Sequence, residues 1–116
     1  MVSTQTREME ECIEACEACA SACLSAVPHC LEKGGDHAEP AHIGLLLDCA
    51  DICQTSARFM TRGSDLHAEV CGVCSFVCKE CEEDCEEFED DPVMVECAAA
   101  CRECAEACRR MADSEA

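Results

Sequence analysis

The sequence predicts an all-α protein, an antiparallel up-down-up-down four-helix bundle with a cysteine-lined core. Cysteines recur at steps of three and four residues, which places each run of thiols on one face of a helix. The segments between the helical patterns are short and carry glycine or proline, and short connections favour antiparallel neighbours. No stretch alternates between polar and apolar residues as a half-buried strand would.

The first two helices are delimited by their end signals. Helix one is predicted at about residues 4–32, because Lys33 and two glycines follow it and a cation before glycine is typical of a helix end. Helix two is predicted at about residues 40–62. It opens with Pro40, whose fixed φ suits a first turn, and it stops before Gly63.

Helices three and four follow after equally short connections. Helix three is predicted at about residues 64–89, with Ser64 as its N-cap because serine is favoured there. Asp91 and Pro92 form a cap and first-turn pair for helix four, which is predicted at about residues 92–112.

The composition shows that aliphatic burial alone does not explain the fold. Sixteen of the 116 residues are cysteine, whereas Leu, Ile, Val and Phe together number only 19. So few large apolar residues in a highly charged chain are typical of disorder. Cysteine packs as a small hydrophobe, and metal bonds made only in the folded state add folding free energy. We therefore expect residues 1–116 to form a single metal-binding domain.

The charge of the chain excludes several classes of partner. A formal net charge of -18 opposes simple electrostatic binding to nucleic acid or to an anionic membrane. No apolar run is long enough to predict a transmembrane helix. Residues 1–11 lack the basic and apolar regions of a secretory signal, so we expect a cytoplasmic protein with reduced thiols. No arrangement of carboxylates, serine or histidine predicts catalysis, and we expect no enzyme.

The cysteines are the candidate metal ligands, and seven pairs of them follow the pattern Cys-x-x-x-Cys. Helix two is poor in thiols, since its stripe carries Leu46, Ser56 and Met60 at positions where other helices carry cysteine. The sixteen candidate ligands are Cys12, Cys16, Cys19, Cys23, Cys30, Cys49, Cys53, Cys71, Cys74, Cys78, Cys81, Cys85, Cys97, Cys101, Cys104 and Cys108.

The spacing within these pairs favours a bridging metal over a disulfide. Residues four apart on a helix have Cβ atoms roughly 5 to 6 Å apart, whereas a disulfide needs about 3.5 to 4.5 Å. Soft thiolates favour Cu(I), zinc or iron–sulfur clusters. Two-coordinate Cu(I) is satisfied by a single helical pair, and one Cu(I) per thiolate leaves a neutral interior, which sets a ceiling of about 16 ions. The spacing thus favours storage of multiple Cu(I) ions.

Two other classes of protein use the same thiols. A zinc or cadmium thiolate sink, with a role like that of metallothioneins, would group the sulfurs in fours from adjacent helices. A redox or structural disulfide protein would need intrahelical bonds, which the pair geometry opposes.

Softer ligands continue the cysteine stripes at one end of the predicted bundle, which we call the near end. Met9, Met60, His67 and Met111 are in phase with the thiols and come from four different helices. Thioether and imidazole groups bind Cu(I) exchangeably, so these four residues are candidate ligands at an entrance for the metal.

The opposite end, which we call the far end, is predicted to be closed. Cys30 lies there, and it lacks a partner four residues later, as does Cys71, so both should share metal ions between helices. An apolar plug beside Cys30 is predicted from Leu46, Phe88, Met94 and Val95. Three histidines are expected to be loop or surface residues there, namely His29, His37 and His42.

One aromatic residue predicts self-association. Phe76 lies on the opposite face of its helix from Cys74 and Cys78, so we expect it to face away from the core. With Val73 and Val77 on the flank of the helix, it would form a contact between subunits.

The whole chain, with seven Cys-x-x-x-Cys pairs on a four-helix pattern, resembles the bacterial four-helix-bundle copper storage proteins. The resemblance implies a core filled with Cu(I) on cysteine ligands, methionine and histidine at an open end, and a homo-oligomer, commonly a tetramer. It also implies no catalysis and, for members without a signal, a cytosolic store. Separately, a copper chaperone is a candidate partner for loading the protein. The thiol-poor second helix departs from that pattern.

Overall fold

The structure, a computed structural model, describes residues 4–114, with side chains from residue 6 to residue 113, and confirms an all-helical bundle. No strand is present within residues 4–114. A 3-10 helix at Gly35–Ala38 joins the first two helices. The four α-helices are α1 at Thr4–Lys33, α2 at Pro40–Thr61, α3 at His67–Cys85 and α4 at Pro92–Ser114. None of these described helices combines the length and the apolar character needed to cross a bilayer.

The helices run antiparallel around a narrow bundle. Each helix packs on two neighbours, in the order α1, α2, α3, α4 and back to α1. Cys12, early in α1, contacts Cys108 near the end of α4, whereas Cys23 contacts Cys97 near the beginning of α4. The molecule measures 49 × 21 × 19 Å, so the core is a column along the bundle axis.

The turn after α2 explains why α3 begins later than the predicted residue 64. Gly63 has a φ of 67°, its N–H donates to the carbonyl of Met60, and Ser64 N–H donates to the carbonyl of Phe59. These two bonds are the Schellman motif that ends a helix. Ser64 therefore belongs to the end of α2, and Leu66 is at the N-cap position of α3. Ser64 is thus not the N-cap of α3 that the sequence predicted, although its hydroxyl accepts a hydrogen bond of 3.1 Å from the N–H of Leu66.

The end of α3 also differs from the prediction, since the helix stops at Cys85 rather than near residue 89. Four acidic residues, Glu86, Glu87, Glu89 and Asp90, follow it within five positions. Negative charge is unfavourable at a helix C-terminus because the carbonyl ends already carry partial negative charge. The chain turns there instead.

The beginning of α4 is as predicted. The Asp91 carboxylate, through Oδ1, accepts a hydrogen bond of 3.0 Å from the N–H of Val93, which satisfies a backbone donor that has no partner within the helix. Pro92 occupies the first helical position. Asp91 thereby fixes the point at which α4 leaves the α3–α4 connection.

The interior is built from sulfur and small side chains. None of the sixteen cysteines is more than 1% exposed. Alanines fill much of the remaining space between the helices. The largest fully buried side chains other than cysteine are Leu46, Met94 and Met111. The thiols therefore occupy the place that leucine and isoleucine take in an ordinary bundle.

Candidate metal centre

The thiols form a continuous column of sulfur atoms. Neighbouring Sγ atoms lie 3.5 Å apart for Cys53 and Cys78, 3.6 Å for Cys53 and Cys104, and 4.0 Å for Cys49 and Cys101. Most of these contacts join different helices, because the four stripes converge on one axis. All sixteen cysteines are free, as expected if the thiols are ligands rather than disulfide partners.

Four sets of cysteines each bring their Sγ atoms within 4.8 Å of one another, and consecutive sets share a residue. Cys108, Cys104 and Cys19 are the shared residues. From the near end inward the sets are Cys12, Cys71 and Cys108; Cys16, Cys74, Cys104 and Cys108; Cys19, Cys53, Cys78 and Cys104; and Cys19, Cys23, Cys49 and Cys101. A metal ion bound in one set thus shares a ligand with the next.

Three of the seven pairs predicted from the sequence are part of this arrangement. Cys74 and Cys78 are in direct sulfur contact at 3.8 Å. The pairs Cys19 with Cys23 and Cys104 with Cys108 each lie within one of the sets. Sulfur contacts between helices are as short as those within a helix. A metal ion can therefore be bound either by cysteines of one helix or by cysteines of different helices.

Soft donors also meet at the far end, where the sequence predicted an apolar plug. The Cys30 thiol donates to Met94 Sδ at 3.3 Å, and its Sγ lies 3.4 Å from His42 Nε2. His42 is only 4% exposed, so its assignment to the loops or surface was wrong. Because His42 Nδ1 is hydrogen-bonded to the Asp84 carboxylate, the ring is held with Nε2 as the basic nitrogen facing the thiol.

The far end carried a sequence signal that the prediction missed. His42 precedes Leu46, Cys49 and Cys53 at steps of four, three and four residues, so it is in phase with the α2 stripe. The same stepping places Met94 three residues before Cys97.

The predicted plug is only partly present. Leu46 is fully buried, and the Phe88 ring packs on the His42 ring at 4.8 Å between centroids. Val95, however, is 51% exposed, so its inclusion in the plug was wrong. Burial raises the pKa of the Cys30 thiol to about 11, and the nearby negative charges of Asp91, Cys97 and Asp84 add to the rise. The metal-free far end therefore keeps its thiol protonated near neutral pH.

At the near end, Met60, His67 and Met111 are buried, while Met9 is partly buried against the core. His67 Nδ1 donates to the carbonyl oxygen of Ser64 at 2.9 Å, which holds the ring and makes Nε2 its basic nitrogen. The four residues predicted as near-end ligands thus lie wholly or partly inside the bundle. Their role as ligands remains a prediction.

Two further histidines meet a carboxylate on the surface of the far end. His29 Nε2 lies 2.7 Å from Asp91 Oδ2, and His37 Nε2 lies 2.9 Å from the same oxygen. The hydrogen bond from His29 is the main reason that the pKa of Asp91 falls to about 2, and the bonds from Val93 N–H and His37 lower it further. Both histidines are partly exposed, as the sequence predicted.

The outer face of α3 carries the predicted apolar surface. Phe76 is 64% exposed, and Val73 is exposed beside it. Val77 differs from the expectation because it is partly buried against the core. Of the three residues predicted for a subunit contact, Phe76 and Val73 are therefore the exposed ones.

An antiparallel four-helix bundle with a continuous column of free, buried thiols defines a class of protein that binds several soft metal ions in its interior. The sequence profile described as Csp, copper storage protein, matches residues 5–113. The chain belongs to the copper storage protein family.

Solved structures show the same fold. A protein from Nitrosospira multiformis is 45% identical, with a TM-score of 0.88 over 93% of this chain and 97% of that one. The Cu(I)-bound copper storage protein Csp3 of Bacillus subtilis is 38% identical, with a TM-score of 0.85 over 90% and 98% of the two chains. A cytosolic copper storage protein from Streptomyces lividans, in a structure with five coppers, is 30% identical, with a TM-score of 0.80 over 92% and 93%. No curated protein sequence matches the chain significantly.

Proposed function

We propose that this protein stores multiple Cu(I) ions in the cytoplasm, on the thiolates of its core, and thereby limits copper toxicity. The observation that carries the proposal is the overlap of the four sulfur sets, which joins twelve of the sixteen cysteines into one extended ligand rather than a row of separate sites. Copper bound in the relatives from Bacillus subtilis and Streptomyces lividans supports it.

The overlap favours Cu(I) over zinc. A structural zinc ion takes four ligands of its own in a tetrahedron. Cys19, Cys104 and Cys108 each belong to two sets, so the sets cannot all be filled by separate tetrahedral ions without sharing. Cu(I) takes fewer ligands and accepts bridging thiolates, so it can fill the column without leaving sulfurs out.

Charge balance sets the number of ions that the core can hold. A buried charge is costly unless it is compensated. Each Cu(I) ion replaces one thiol proton, so copper loading leaves the net charge of the core unchanged. A divalent ion needs two thiolates for the same balance, so the core would hold about half as many divalent ions.

Competition between the two metals tests the proposal. Anaerobic protein is first loaded with Zn(II) and then given Cu(I) at one ion per cysteine. We expect Cu(I) to displace the zinc completely and to remain on the protein through gel filtration. Retention of zinc, with copper in the low-mass fractions, would support a zinc sink instead.

We further propose that the clusters at both ends are copper ligands that exchange the ion with solution. The near end supplies Met9, Met60, His67 and Met111, and the far end supplies Cys30, His42 and Met94. Soft neutral donors hold Cu(I) more weakly than the thiolates do, so they should affect rates more than capacity. Because Cys30, His42 and Met94 meet at the far end, the proposal includes this end, which the sequence predicted to be closed.

Two leucine variants separate the ends. One replaces His67 and the three near-end methionines, and the other replaces His42 and Met94. We expect each variant to slow copper uptake and removal by a chelator while final loading stays nearly unchanged. If only one variant is slower than the parent protein, copper passes through that end alone. If neither is slower, the end clusters are not exchange sites.

Assembly is the last part of the proposal. We propose that the exposed Phe76 and Val73 side chains contact a second copy of the chain in a homo-oligomer, consistent with the tetramer that the family resemblance implies. We also propose that a copper chaperone loads the protein by delivering Cu(I) to one of the two end clusters.

A further inference from the structure

We propose that His29, His37 and Asp91 bind one divalent cation of borderline softness, such as Zn(II), outside the copper store. The three ligand atoms, both Nε2 atoms and a carboxylate oxygen, lie within 4.8 Å of one another. The donors come from three segments that meet at the far end: α1, the 3-10 helix and the N-cap of α4.

The geometry is already close to that of a metal site. Zinc bonds to imidazole and carboxylate of roughly 2.0 to 2.1 Å place tetrahedral ligand atoms about 3.3 Å apart. His29 Nε2 and His37 Nε2 lie 2.7 Å and 2.9 Å from Asp91 Oδ2. Shifts well below an ångström would therefore admit the ion. Each imidazole would release its Nε2 proton and carry a proton on Nδ1 instead, so that it binds as a neutral ligand.

The surrounding structure holds these ligands in place. Asp91 is buried, and its Oδ1 caps α4, which leaves Oδ2 directed at both imidazoles. The His37 ring packs on Phe88 at 4.2 Å between centroids, and the His29 ring meets His37 edge to face at 6.2 Å. Two imidazoles and one carboxylate leave a fourth position for water, as in open zinc sites.

The electrostatics and the donor set select the class of ion. An open cleft of about 570 Å³ beside His37 is lined by one basic residue, Lys33, and by the acidic residues Glu86, Glu87, Glu89 and Asp90. The acidic side chains outnumber the single lysine, so the cleft favours cations. Nitrogen and oxygen donors suit Zn(II) or Ni(II), whereas Cu(I) prefers the thiolates of the core. The site and the store thus select different metals.

The site would also brace the far end. His37 packs on Phe88, and Phe88 packs on His42, whose Nε2 faces the Cys30 thiol. A bound ion would therefore tie the 3-10 helix and the α3–α4 connection over the last thiol of the column.

The test uses protein whose core is first filled with Cu(I), so that thiolates do not compete for the probe. Zn(II) is then added from a metal buffer, and copper and zinc are counted after gel filtration. We expect one zinc per chain in the parent protein, with no loss of copper. His37→Gln and Asp91→Asn should lose this zinc while keeping the copper count, and Asn retains an oxygen that caps α4.

Glu89→Gln is the matched control, because it removes a charge from the same cleft without removing a ligand, and it should retain zinc. Co(II) as a second probe should give the spectrum of nitrogen and oxygen ligation without sulfur charge-transfer bands. Zinc that is absent from the parent, or retained equally by His37→Gln and Asp91→Asn, would overturn the site. Sulfur charge-transfer bands with Co(II) would also overturn the proposed site. The copper count tests the storage function separately, because it does not depend on these three ligands.

Discussion

Adding one thiol at Ser56 should add one copper ion to the store. Ser56 is fully buried in the α2 stripe, and its hydroxyl lies 3.5 Å from Cys71 Sγ. Cys71 belongs to the smallest set, with Cys12 and Cys108, so Ser56→Cys would supply a fourth sulfur. The distance matches the 3.5 to 4.0 Å spacing of sulfurs elsewhere in the column.

The expected magnitude follows from the charge balance of the core. One Cu(I) per thiolate gives about 16 ions for the parent and about 17 for Ser56→Cys. The variant exchanges a buried hydroxyl and its hydrogen bond for a thiol, so we expect the copper-free stability to change by no more than about 1 kcal/mol. Native mass spectrometry of the loaded protein counts copper ions singly and is the appropriate assay.

Ser75→Cys is the matched control for this experiment. Ser75 is also buried, but its hydroxyl donates to the carbonyl of Ala105 at 2.8 Å between α3 and α4, away from the sulfur column. A thiol there should add no copper. No gain with Ser56→Cys, or an equal gain with Ser75→Cys, would refute the view that position in the column determines capacity.

Three further outcomes are expected. A Cβ added at Gly72 would lie 3.9 Å from the Cβ of Ala112, which is an ordinary contact. Gly72→Ala should therefore raise the free energy of unfolding of the copper-free protein in urea by about 0.5 to 1 kcal/mol. A lower free energy of unfolding would show that another group approaches Gly72 closely. Phe76→Glu should lower the sedimenting mass of the protein, and an unchanged mass would remove Phe76 from the subunit contact. Because the pKa of Asp91 is lowered to about 2, its carboxylate stabilises the fold above its ordinary value of 3.8 and loses this effect as pH falls toward 2. The melting temperature of Asp91→Asn should therefore lie below that of the parent at pH 6 and approach it near pH 2, and a constant difference would contradict this assignment.

The sequence predicts the fold class and the thiol column well because both depend on local periodicity. A step of three or four residues determines which face of a helix a thiol occupies, whatever the partner helix is. The residues at which α3 begins and ends depend on more than the spacing of its buried residues. Ser64 looks like an N-cap in isolation, but the preceding Gly63 makes it part of the Schellman motif that ends α2.

The chemistry of the far end was harder to predict for two different reasons. His42 is in phase with its stripe and could have been found by the stepping that identified His67. The meeting of His29 and His37 with Asp91 depends on three connections folding together, and no spacing along the chain encodes it. Surface sites built from residues that are far apart in the sequence can be predicted only when the tertiary structure is known.

The copper capacity of the protein tests the central claim most directly. Reduced protein is titrated with Cu(I) under anaerobic conditions, and copper, protein and free thiols are counted after gel filtration. The overlapping sulfur sets predict a nearly continuous uptake without separate steps. The charge balance of sixteen thiolates predicts an end point of about 16 Cu(I) per chain, with the loss of all free thiols. Saturation at about four ions, the number that sixteen thiolates give in separate four-coordinate sites, would contradict a copper-filled column.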